Sequence, residues 1–141
     1  MSVQLVINIE DHAVKEKLIG LTRNAQDLSP VFRSFGEYMI RSIGKNFREG
    51  GRPGKWEESQ RVKESGGKTL IKTRRLQNSI TYKTDKTSLT LGSNVIYARI
   101  HQLGGQAGRG RKTTIPARPY LMFQDDDFAY LRGLIRRRFG L

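Results

Sequence analysis

SPVFRSFGEYMIRSIGKNFR, running from Ser29 to Arg48, carries the clearest periodic pattern in the chain. Phe32, Phe35, Met39, Ile43 and Phe47 recur every three or four residues, so they stack into one apolar stripe about four turns long. Arg33, Glu37, Arg41, Lys45 and Arg48 occupy the opposite face. Ser29-Pro30 supplies a capping hydroxyl and then a proline whose fixed φ suits a first helical turn. Gly36 and Gly44 each cost the helix about 1 kcal/mol relative to alanine, which predicts a close neighbour at both. Glu49-Gly50-Gly51-Arg52-Pro53-Gly54 ends the helix.

On the N-terminal side, Val3, Leu5, Ile7 and Ile9 alternate and predict a strand over 3–9. Asp11 then caps an expected helix carrying Val14, Leu18, Ile19 and Leu21, which ends near Asn24 to Asp27. On the C-terminal side, residues 50–68 read as a Gly- and charge-rich loop around one large apolar anchor, Trp56. Residues 69–73 read as extended, and Leu76 and Ile80 share a helical face. Ile80 to Thr84 and Ser88 to Leu91 form a β-hairpin across Asp85-Lys86-Thr87. Asn94 is placed to cap a short helix through Val95, Ala98 and Leu103, stopped by Gly104-Gly105. The basic stretch 104–114 reads as an exposed loop. Two prolines keep 115–121 irregular. Asp125-Asp126-Asp127 opens and Arg136-Arg137-Arg138 closes a last helix, as the helix dipole favours.

The chain has 141 residues, 26 Lys+Arg against 13 Asp+Glu, and a formal net charge of +13. That length suits one domain over 1–141, with mobile loops near 49–68 and 104–114. With no cysteine, disulfides, thiol catalysis and Cys-based zinc sites are excluded. No apolar run reaches the ~20 residues of a bilayer span, so a soluble protein without a membrane partner is expected. The positive charge attracts phosphate polymers, anionic membranes or acidic protein surfaces without choosing among them. Arg109, Arg111, Lys112, Arg136, Arg137 and Arg138 are the candidate contacts for either.

Motifs of enzyme chemistry do not assemble. Gly66-Gly67-Lys68-Thr69 lacks the earlier glycine of a phosphate loop, where Val62 stands. The three adjacent aspartates point in different directions on a helix and serve its N-terminus better than a cation. His12 and His101 are the only imidazoles, and neither has the company of a metal site. Ser79 or Ser93 with His101 lacks a nucleophile elbow. The expectation is no enzyme, no cofactor and no metal.

From residue 70 onward the order of motifs is informative. Leu70-Ile71-Lys72-Thr73-Arg74-Arg75-Leu76-Gln77-Asn78-Ser79-Ile80 precedes the hairpin. Tyr97-Ala98-Arg99-Ile100-His101-Gln102-Leu103-Gly104-Gly105 follows it, and after the basic loop comes Ile115-Pro116-Ala117-Arg118-Pro119-Tyr120-Leu121. With Trp56 upstream, this series resembles the phage virion-morphogenesis (tail-completion) family of Mu-like, contractile-tailed phages and prophages. The resemblance covers roughly residues 30–122. It implies a non-enzymatic protein of tail completion or head–tail joining, with an expected ring in the virion neck, self-associated and bound to other tail or neck proteins. It also implies assembly in the host bacterial cytoplasm and a final place in the virion tail or neck. The motif residues it singles out are Trp56, Leu76, Ser79, Ile80, Tyr97, His101, Gly104, Gly105, Pro116, Arg118, Pro119 and Tyr120. One departure stands out: Arg74 occupies a position that is usually glycine in a Leu-x-x-Thr-Gly-x-Leu pattern. Because a Cβ penalises left-handed backbone, a turn of different shape is expected there.

The fold class expected is α+β. A small, mainly antiparallel sheet from 3–9, 69–73, 80–84 and 88–92 carries the long amphipathic helix on one face, with extended Gly/Pro-rich loops and a C-terminal helix. Tyr97, His101 and the 116–120 segment are expected to pack together beneath the sheet or at a subunit boundary. A nucleic-acid-binding module using the basic loop and terminal arginines is the alternative reading.

Overall fold

The computed structural model of the protein describes residues 3–8 and 27–140. The elements in order are β1 (Val3–Asn8), α1 (Ser29–Glu49), α2 (Gln60–Ser65), α3 (Arg75–Asn78), β2 (Thr81–Thr84) and β3 (Ser88–Ser93). They are followed by α4 (Ala98–Leu103), β4 (Gly105–Ala107), a 3-10 turn (Arg109–Arg111), β5 (Thr113–Ile115) and α5 (Asp125–Phe139). The architecture is α+β. The helix expected after Asp11, and His12 with it, lie outside the described residues.

β3 is the centre of a three-stranded antiparallel sheet of order β1-β3-β2. Leu91 stands opposite Leu5 in β1 and Tyr82 in β2. Leu89, Leu91 and Ser93 alternate onto the buried face of β3, where α1 lies across them. Phe32, Phe35, Met39, Ile43 and Phe47 are all buried, so the apolar stripe of α1 forms the centre of the core. At Gly36 the approach is close: a Cβ would sit 2.5 Å from the Tyr82 ring. Gly44 has no such constraint, since the nearest atoms to a Cβ there are 3.4 Å away on flexible side chains. Gly50, in left-handed conformation at φ 70°, closes α1.

Helix α5 packs against α1. The Tyr38 and Tyr130 rings stack with centroids 3.9 Å apart. Beside them lies a buried polar network. Ser42 Oγ donates to Asp127 Oδ1 at 2.6 Å, and Arg52 Nη2 donates to the Ser42 carbonyl and hydroxyl at 2.7 and 3.0 Å. Arg52 Nε donates to Asn46 Oδ1 at 2.8 Å, while Asp127 Oδ2 accepts the Gln124 backbone N–H at 2.7 Å. Buried polar groups are tolerable when satisfied in this way.

Five of the expected elements and caps need correction. Residues 69–73 do not add a strand: Leu70 has φ 65°, and the Ile71 N–H closes a turn on the Lys68 carbonyl at 3.1 Å, which spends that donor locally. Ser29 does not cap α1; Leu28 holds the cap position and the Ser29 hydroxyl donates to Asp27 Oδ1 at 2.6 Å. Asn94 does not cap α4, which begins after Tyr97, and the Val95 N–H goes to Ser93 Oγ instead. The presumed loop 50–68 contains helix α2, capped by Ser59 Oγ on the Val62 N–H. The presumed loop 104–114 is mostly an antiparallel hairpin, with Gly105 opposite Ile115 and Ala107 opposite Thr113.

Candidate functional site

Residues 116–121 have no regular structure, so their backbone groups need side-chain partners. Gln102 on α4 supplies most of them. Its Oε1 accepts the N–H groups of Tyr120 and Leu121 at 3.1 and 2.9 Å, and its Nε2 donates to the Leu121 carbonyl at 3.1 Å. Asn46 Nδ2 donates to the Tyr120 carbonyl at 2.8 Å, and Trp56 Nε1 to the Pro119 carbonyl at 3.3 Å. The buried Tyr120 hydroxyl donates to the Ala98 carbonyl at 2.6 Å, and burial pushes its pKa up. The Arg118 N–H donates to the His101 carbonyl at 2.8 Å, which joins this segment to α4 again.

Gly104 permits that join. Its φ is 73°, and a Cβ would come within 2.8 Å of the Ala117 backbone nitrogen. Any side chain there would push the segment away from α4.

These contacts build one wall of a cleft of about 550 Å³. Tyr97, His101 and Arg118 line it with Leu76, and Arg61, Lys72 and Arg75 add cations. The rings of Tyr97 and His101 meet edge to face with centroids 5.8 Å apart. Burial and the neighbouring Arg118 charge both lower the His101 pKa, so its ring is held neutral. Arg118 is 5 % exposed and donates Nε to the Glu57 carbonyl at 2.7 Å. Among the described residues no cluster of three or more His, Asp or Glu side chains could hold a metal ion.

The comparison with known sequences decides what this scaffold belongs to. The profile of the phage virion morphogenesis family matches residues 9–140. The chain belongs to that family. A Mu-like prophage protein of Haemophilus influenzae, FluMu G protein 2, is 39 % identical over 139 residues, covering 96 % of this chain and 98 % of that protein. No solved structure matches the chain.

Within this family member, the structure places Tyr97 against His101, the Arg118 N–H on the His101 carbonyl, the Tyr120 hydroxyl on the Ala98 carbonyl and Gly104 against the Ala117 backbone. Trp56 reaches the 116–121 segment through its indole N–H, while its ring packs edge-on to Phe47 at 5.9 Å. Leu76 and Ile80 are buried in the core. Ser79 serves its own turn, donating to the Leu76 carbonyl and pairing with Ser93 Oγ at 2.6 Å. Gly105 opens the hairpin opposite Ile115, and Pro116 follows its second strand. Arg109, Arg111 and Lys112 are exposed at its tip, and Arg136, Arg137 and Arg138 are exposed on the last turns of α5. Neither group lines the cleft.

Arg74 overturns one expectation. It adopts the left-handed conformation, φ 61° and ψ 9°, so the turn keeps the shape a glycine would give it. Sequence reasoning also missed Gln102, Asn46, Ser42 and Arg52. Ser42 and Asn46 carried a usable signal, since two polar residues four apart border the apolar stripe of α1. Gln102 and Arg52 carried none.

Proposed function

We propose that the chain is a structural protein of tail completion or head–tail joining, working as a subunit of a ring in the virion neck or at the tail terminus. Its near full-length relation to a virion-morphogenesis family carries this reading. Surface features suit it. Ile96, Leu103 and Phe128 are 80 %, 59 % and 42 % exposed and so are available to a neighbouring subunit. On this reading the protein acts by fitting neighbours and catalyses nothing. It is made in the host bacterial cytoplasm and ends in the tail or neck. Native mass spectrometry with negative-stain imaging, alongside induction of a prophage lacking the gene, tests the reading. Closed oligomers and an accumulation of unjoined heads and tails are expected; normal joined particles from the deletion would overturn it.

A second reading rests on the hairpin, which carries Arg109, Arg111 and Lys112 at an exposed tip. There the chain contacts DNA phosphates without sequence preference. Duplex affinity then falls steeply between low and moderate salt, and Arg109→Glu with Arg111→Glu flattens that slope by about two phosphate contacts. An unchanged slope would exclude the hairpin.

A further inference from the structure

The cleft beside α4 has a feature that core packing leaves unexplained. Four cationic side chains line it, Arg61, Lys72, Arg75 and Arg118, and no carboxylate does. Arg61 is occupied, since its Nη2 donates to the Lys68 carbonyl at 2.7 Å. Arg75 lies over the Tyr97 ring, 5.9 Å from the centroid. Lys72 has no hydrogen bond among the described residues. Arg118 is the most constrained of the four. It is nearly buried, and beyond its Nε bond to the Glu57 carbonyl its guanidinium has no acceptor among the described residues. Glu57 acts on the Arg118 charge from nearby, but the Arg118 Nη groups open toward solvent, where an incoming anion can replace water. His101 Nδ1, on the same wall, is buried and also without a partner.

We propose that this cleft is a socket for an acidic protein segment, a short run of Asp or Glu on another virion component, whose carboxylates are held by Arg118, Arg75 and Lys72. This rests on the assembly reading only in naming the occupant's origin. The planar fork of Arg118 matches a carboxylate with two parallel hydrogen bonds. The Tyr97 ring and Leu76 provide an apolar wall for side-chain methylenes. A volume of about 550 Å³ takes a few side chains, whereas a duplex backbone is convex and lies on open surface. In a second copy of this chain the run Asp125-Asp126-Asp127 is held in a helix with Asp127 buried against Ser42, so it is not free to enter the cleft as an extended segment.

The test titrates a hexaglutamate peptide into the isotope-labelled full chain at low salt. Saturable binding is expected, with the side-chain resonances of His101 and Arg118 shifting. Lys72→Gln with Arg75→Gln should weaken it about tenfold, as two charge-assisted contacts are lost. Arg109→Gln with Arg111→Gln, the same charge change on the hairpin, should leave it within about twofold. Both pairs are exposed, so folding is retained. Unmoved His101 and Arg118 resonances, equal losses in the two double variants, or tighter binding of inorganic phosphate or a duplex oligonucleotide at those resonances would each overturn the proposal. Because purified protein is used, a failed ring leaves this result readable, and a silent peptide leaves ring assembly untouched.

Discussion

Single atoms decide several features of this fold. Gly36 is required by contact: with Tyr82 against the helix, Gly36→Ala forces ring and helix apart and should lower stability by about 1–3 kcal/mol in urea unfolding. Gly44→Ala, in the same helix with room for its methyl, should instead stabilise by about 0.5–1 kcal/mol. Arg74 is the inverse case, a side-chain residue at a positive φ, and Arg74→Gly should raise stability by about 0.5–1 kcal/mol. His101 sets a pH dependence. Its folded pKa lies below the usual 6.5 because of burial first and Arg118 second. The unfolded chain therefore binds the proton more readily. The stability from the neutral ring is fully present above the unfolded pKa and falls away as pH drops through 6.5 toward the folded value. Urea midpoints measured across that window should decline for the parent chain and decline less for His101→Gln.

At the scale of elements, regular patterning was legible and satisfaction of irregular backbone was not. The stripe from Phe32 to Phe47 and the alternation through Leu89 and Leu91 announced α1 and β3, because burial of one face imposes its period on the sequence. The 69–73 segment carried strand-like residues, yet Leu70 at positive φ turned it into a corner. Likewise the hairpin 105–115 has too few apolar residues to betray a period. The cluster of Tyr97, His101 and Tyr120 was legible through motif order, while Gln102, its main hydrogen-bonding member, was not. Gln102→Ala should leave the Tyr120 and Leu121 N–H groups unpaired and cost about 2–4 kcal/mol by thermal unfolding. By contrast, no residue of the hairpin belongs to the core. Replacing 106–114 with a short glycine linker should therefore change stability by no more than about 0.5 kcal/mol.

For the whole molecule, the excess of positive charge opposes compaction. Raising salt from about 0.01 M to about 0.15 M shortens the screening length from roughly 30 Å to roughly 8 Å, so the melting temperature should rise over that range, as calorimetry would record. Long-range organisation follows from the network beneath α5. Ser42 and Asp127 are 85 positions apart, and a ribosome adding roughly 5–20 residues per second needs roughly 4–17 s to travel between them. During that interval the first long helix has emerged with its greasy flank and two polar groups still waiting for their mates. The nascent protein is thus most vulnerable to clumping, and most in need of a chaperone, in the seconds before translation reaches its final helix.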